Sequence, residues 1–197
     1  MSKIVSKKIQ IEKMAFISPP KKINPFLKIG IMLSNKVTGK ELLVPKLLAL
    51  YPKVAISSGI LEVLVAHGKK DLNKRLLKLV RIQTSLTVAC PFCIDMNSFG
   101  YKDDFITDAE MDALSGGIDI DSIKSFSKKE SIVLAYVRHL YASVIVMPKE
   151  ISDLLIQNFT EREIVILAST VAQVNYRARL IQGLGVPPEG FMDHCEL

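Results

Sequence analysis

The sequence contains no second cysteine pair, no glycine-rich phosphate loop and no Ser-His-Asp ordering, so no nucleotide cofactor and no serine nucleophile is indicated. Apolar runs stop short of the ~18 uncharged residues that a membrane span needs. Glu62, Arg138 and the Arg162-Glu163 pair interrupt or bound the longest of them. The first residues, Met1 to Lys8, lack the unbroken apolar core of a signal peptide. No segment sustains the two-residue alternation of a half-buried strand, which argues against a thioredoxin fold. These absences lead to the expectation of a cytoplasmic, all-α protein with no membrane contact.

What is present is a chain of 197 residues, 49% of them hydrophobic, enough for one packed domain. Its charge is uneven. Residues 1–40 carry nine lysines and the single acid Glu12, a balance of +8, so the rest of a chain with a total of +6 sums to −2. We read residues 1–44 as a basic, extended or weakly structured arm, residues 45–190 as a helical domain and residues 191–197 as a tail. The arm carries no nucleic-acid motif and reads as a solvated extension wrapping a neighbouring subunit.

Within the domain, Pro45 opens a short helix that Pro52 breaks, and a second helix is expected over Val54 to His67 with Gly68 as its stop. Leu72, Leu76, Leu79, Val80 and Leu86 are spaced to make one buried face. Thr107-Asp-Ala-Glu110, Ser127-Lys-Lys-Glu130 and Thr160-Glu-Arg-Glu163 match capping boxes and predict three helix starts. The last of these helices should end at Gly183, and its Ile164 to Ala168 stretch is apolar on every side, as expected of a central element. Pro148 predicts a further helix start.

Two of the three cysteines form Cys90-Pro91-Phe92-Cys93 between helix-length apolar segments. A Cys-x-x-Cys loop that enters a helix sets one sulfur beside the free N–H groups of the first turn, where thiolate is favoured. The spacing also lets the sulfurs cycle between dithiol and disulfide. Half a zinc site has the same spacing. His194-Cys195 would be needed to complete one, in an unusual ligand pattern, so thiol redox chemistry is the preferred reading.

Two segments resemble the carboxymuconolactone decarboxylase family in its alkylhydroperoxidase D-like branch. Arg81-Ile-Gln-Thr-Ser-Leu-Thr-Val-Ala-Cys-Pro-Phe-Cys-Ile-Asp-Met-Asn97 is similar to the branch's helix, Cys-x-x-Cys and following Asp-Met-His. Phe126 to Glu130, Phe159 to Glu163 and Leu184-Gly-Val-Pro-Pro-Glu-Gly190 look like its C-terminal half. The resemblance implies an all-helical homo-oligomer, trimeric or hexameric, that reduces hydroperoxides or exchanges disulfides and is recharged by a thiol reductant. It further implies Cys93 as the attacking sulfur and Cys90 as the more exposed one, although helix-start geometry can reverse these roles.

The branch uses a glutamate twelve residues before its first cysteine and a histidine four after the second. This chain has Lys78 and Asn97 there. An amide does not titrate and a lysine is ordinarily protonated, so neither serves as a base at neutral pH. Candidates to replace the relay are Asp95, Glu62 and His67, with Lys78 as a charge that acidifies a thiol. The pocket is expected to be apolar and shaped by Phe92 and Phe99, suited to organic hydroperoxides. The alternatives are a non-catalytic redox sensor or scaffold, and a carboxymuconolactone decarboxylase-type enzyme acting on a small cyclic acid.

Overall fold

Each of the three capping boxes forms. The Thr107, Ser127 and Thr160 hydroxyls accept from the N–H groups of Glu110, Glu130 and Glu163 at 3.2, 3.3 and 3.2 Å. Each glutamate in return accepts from the N–H of its capping residue, at 2.8, 2.7 and 2.8 Å. The computed structural model describes residues 15–64, 67, 71–141 and 146–192. Among these, the chain forms nine α-helices and no strand. They are α1 Pro25–Thr38, α2 Leu43–Leu48, α3 Pro52–Leu64, α4 Lys74–Thr87, α5 Pro91–Ser98, α6 Asp108–Ser115, α7 Lys128–Tyr141, α8 Lys149–Asn158 and α9 Glu161–Leu184. No helix among the described residues is long and apolar enough to cross a membrane.

The centre of the bundle is α4. Leu76, Leu77, Val80 and the apolar residues of α7, α8 and α9 form one cluster. Leu79 and Ile82 face the other way, against Ile106, Leu114, Phe126 and Leu134. The expectation of a single buried face on α4 is therefore too narrow: Gln83, Thr84 and Ser85 are buried as well. By contrast, Val165 on α9 is 67% exposed, so the uniformly apolar Ile164–Ala168 stretch keeps one side toward solvent.

Local chemistry explains where the other boundaries differ from expectation. The arm is not extended throughout, because Asn24 caps α1 by accepting from the Phe26 N–H at 2.9 Å and Pro25 occupies the first turn, where its missing N–H costs nothing. α1 buries none of its residues and leaves Phe26, Ile29, Met32, Leu33 and Val37 exposed. α9 runs through Gly183 and ends one residue later, where Gly185 takes a left-handed φ of 63° that glycine tolerates best. Pro148 is the residue before α8 rather than its first. The proposed stop of α3 at Gly68 lies outside the described residues.

Arg75 on α4 ties together the two halves of the bundle. Its guanidinium donates to Glu110 and Glu130, each at 2.7 Å, and both carboxylates also serve as the N3 residues of capping boxes. Burial alone would raise the Glu110 carboxyl, but hydrogen bonds from Arg75, Ser125 and the Thr107 N–H hold it below its ordinary value. Removing the guanidinium leaves two enclosed carboxylates uncompensated. Arg75→Ala is expected to lower unfolding stability by about 3–5 kcal/mol, read from the urea midpoint at neutral pH. A loss under ~1 kcal/mol would show that these carboxylates are not held by this contact.

Candidate functional site

The path from α4 to α5 is a tight corner. Ala89 adopts a left-handed φ of 49°, strained for a residue with a Cβ, and Gln182 of α9 donates to the carbonyls of both Val88 and Ala89 at 3.0 Å. The turn delivers Cys90 as the N-cap of α5, with Pro91 in the first turn. The Cys90 sulfur accepts from the Cys93 N–H at 3.4 Å, and the two sulfurs share a hydrogen bond at 2.8 Å. Both cysteines are free and fully buried, packed with Phe92, Val88, Leu47, Ala178 and Ile181.

This geometry makes the two thiols unequal. The hydrogen bond from Cys93 lowers the Cys90 thiol to about 7 against the opposing cost of burial, with help from the Cys93 N–H and the Arg177 charge. The same shared proton, together with burial, pushes the Cys93 thiol well up. The electrostatics favour the thiolate at Cys90, the sulfur at the helix mouth, whereas the resemblance implied Cys93 as the attacking one. Nor is Cys90 the more exposed of the two, since both have 0% exposure.

Arg177 is the residue that sequence reading missed. It comes from the last third of α9 and donates to Asn97 Oδ1 at 3.2 Å and to Glu62 at 3.3 Å. Its charge favours the thiolate at either cysteine. Nε is buried and meets no acceptor in hydrogen-bond geometry. Asn97 in turn donates to the Ser85 hydroxyl at 2.7 Å, which itself donates to the Arg81 carbonyl at 2.7 Å. Thus Glu62, Arg177, Asn97 and Ser85 form one chain of contacts from α3 through α9 and α5 to α4. No spacing rule links Arg177 to the cysteines. The available sequence signal was a basic residue beside Ala178 and four before Ile181 on an otherwise apolar helix face.

The remaining candidates go elsewhere. Asp95 is fully buried, but its two oxygens accept from the N–H groups of Glu189 and Met192, at 3.0 and 2.7 Å, so it clamps the C-terminal segment onto α5. Lys78 donates to the Phe99 carbonyl, and burial lowers its pKa. His67 pairs with the Ser169 hydroxyl at 3.1 Å, eight residues or about 12 Å along α9 from Arg177. Burial lowers its pKa too. Phe92 is buried in the core, and Phe99 is 55% exposed with its ring edge-on to Phe191 at 5.9 Å. A groove of about 460 Å³ is lined instead by Gln83, Leu86, Ala89, Ile94, Leu114 and Arg138 among others. His194 and Cys195 lie outside the described residues.

These helices and their buried cysteine corner define the class: the chain has the AhpD-like fold. Neither a protein-family model nor a curated protein matches it in sequence. A variant of the debrominase Bmp8 in complex with 2,3,4-tribromopyrrole superposes with a TM-score of 0.75 at 15% identity, over 91% of this chain and 95% of the other. An uncharacterized peroxidase-related protein from Ralstonia eutropha JMP134, with an alkylhydroperoxidase AhpD core, gives 0.74 at 14% identity over 90% and 94%. A peroxidase-related protein from Silicibacter sp. TM1040 gives 0.75 at 13% identity over 90% and 93%. Neighbours of this fold thus include an enzyme, and the likeness agrees with the resemblance carried by the cysteine segment.

Two outcomes separate the acidic sulfur from its surroundings. The pH profile of Cys90 alkylation should have its midpoint near 7 in the native chain and move toward the ordinary thiol range, about 8.5, in Cys93→Ala, which deletes the largest lowering cause. A midpoint that stays put would show that Cys93 does not set it. Asp95→Asn should leave that midpoint unchanged while lowering stability by about 1–3 kcal/mol, because one of the two N–H groups it accepts from would face an amide NH2 instead of an oxygen.

Proposed function

We propose that this protein is a thiol-dependent oxidoreductase that reduces organic hydroperoxides with Cys90 and Cys93. The observation that carries the reading is the shared hydrogen bond of 2.8 Å between sulfurs at the start of α5, with Cys90 acidified to about 7. At neutral pH a large share of Cys90 is then the thiolate nucleophile, with the resolving thiol already in contact.

The Cys90 thiolate attacks the terminal oxygen of the hydroperoxide. The S–O bond forms as the O–O bond breaks, and the departing alkoxide takes the Cys93 proton to leave as an alcohol. Cys93, now a thiolate beside Arg177, attacks the Cys90 sulfenic acid. A disulfide forms, and the released hydroxide takes a proton from solvent as water. Two electrons pass from the dithiol to the peroxide, and an external thiol reductant returns them. No histidine relay is required, since Cys93 supplies the proton and Arg177 stabilises the charge that moves.

A second reading draws on the debrominase among the structural neighbours. The same dithiol can remove bromine from carbon: Cys90 takes the halogen, the carbon takes a proton, and Cys93 displaces bromide to form the disulfide. Self-association, implied by the family resemblance, is supported by the exposed Phe26, Ile29, Leu33 and Val37 stripe on α1.

The test is consumption of cumene hydroperoxide, beside debromination of 2,3,4-tribromopyrrole, with dithiothreitol as reductant. Cys90→Ser should lose the first activity by on the order of 10²-fold or more. In the absence of dithiothreitol, Cys93→Ser should complete one turnover and stop as a sulfenic acid. Hydroperoxide turnover that survives Cys90→Ser would overturn the mechanism, and debromination without peroxide turnover would select the second reading.

A further inference from the structure

Two arginines, Arg177 and Arg81, stand beside the dithiol corner. Arg81 lies one turn before Ser85 on α4, on the face that reaches Asn97 and Arg177 through the Ser85 hydroxyl. Arg81 is half-buried and makes no hydrogen bond or close ion pair among the described residues. Burial lowers its pKa, and the repulsive charge of Arg177 lowers it further. Arg177 Nε is buried without an oxygen acceptor, and the same side chain hydrogen-bonds the Cys93 sulfur. Glu62 faces both guanidinium groups, and the Asp104 carboxylate also acts on Arg81 from farther along the site.

The Glu62 carboxylate is weakly held. Its contact with Arg177 is long at 3.3 Å, and its side chain is 45% exposed. It comes from α3, whose polar contacts with α9 among the described residues are this pair and Ser58 to Tyr176 at 3.0 Å, and which also packs on α1 and α2. The outward side chains of α3, Ile56, Ile60 and Val63, are exposed and add nothing to its anchorage. An ion pair of this kind contributes little to stability, whereas two guanidinium groups in an enclosed site favour an anion strongly.

We propose that Arg177 and Arg81 form a docking site for an organic carboxylate beside the dithiol, a site that Glu62 fills in the free protein and yields to substrate. The chemistry of the occupant sets the class, since the group now seated there is itself a carboxylate. The cysteines behind it sit among Leu47, Val88, Phe92 and Ile181, so the rest of the ligand is apolar. The substrate would be a hydroperoxide or halide that also bears an acid group. The proposal rests on Cys90 as the nucleophile and leaves the redox steps unchanged.

The test uses two alkylating agents of nearly equal size, iodoacetate and iodoacetamide, on the intact chain, with Cys90 modification followed by mass spectrometry. Their rate ratio cancels thiolate fraction and access and reports charge recognition alone. The native ratio should exceed that of glutathione by about tenfold. It should fall toward the glutathione value in Arg177→Gln and Arg81→Gln, and rise in Glu62→Gln. A variant that failed to fold would speed both reagents together and could not raise the ratio. Octanoate should slow alkylation, while octanamide and inorganic phosphate at the same concentration should not. A native ratio equal to that of glutathione, a ratio indifferent to both arginine variants, or protection by phosphate equal to that by octanoate would overturn the proposal. Because alkylation needs no peroxide, a flat ratio with normal turnover rejects the docking site alone, and a high ratio without turnover rejects the peroxidase reading alone.

Discussion

The enclosure of α4 is the constraint on which the rest depends. A helix buried on several sides must find partners for its polar groups within the protein or leave them unpaired, as it does the Thr84 hydroxyl. Ser85 finds its partners by donating to the Arg81 carbonyl while accepting from Asn97. This fixes α5 against α4, and α5 starts with the cysteines. Gln182 of α9 closes the arrangement by holding the carbonyls of Val88 and Ala89, the strained corner between the two helices. The sulfur geometry is thus a product of three packed helices rather than of the four-residue motif alone.

Burial also decides the electrostatics. In water a neighbouring thiol has little influence on another; with both sulfurs removed from solvent, the single shared proton divides them into an acidic and a reluctant thiol. Arg177 belongs to the same economy of charge. An arginine in this position would be costly without partners, and it finds Glu62 and Asn97 together with the potential for thiolate at Cys93. Where the family resembled here has its Glu and His, this chain has Lys78 and Asn97, and the fixed charge of Arg177 favours the anion at the cysteines.

Legibility in the sequence follows the distance over which an interaction acts. The three capping boxes were readable because they join residues three apart, and they place the starts of α6, α7 and α9. The helix α1 was not, because Ser18-Pro19-Pro20 and Asn24-Pro25 signal a break equally well when Asn24 and Pro25 in fact begin a helix. At the site, Asn97 and Glu62 do reach Arg177, whereas Asp95, chosen for its nearness to Cys93 in sequence, turns to the backbone of the C-terminal segment. His67 and Lys78 were selected by type and spacing, and packing directs them to Ser169 and Phe99.

The amino-acid order alone determined that the chain would be all-helical, where several helices begin, and that two cysteines would meet at the mouth of one. Those properties arise from contacts within a turn or two of backbone. Which charges face the sulfurs was decided only by tertiary structure. The pairs responsible lie 80 residues apart for Arg177 and Asn97 and 115 for Arg177 and Glu62, and local propensity carries no information over such separations.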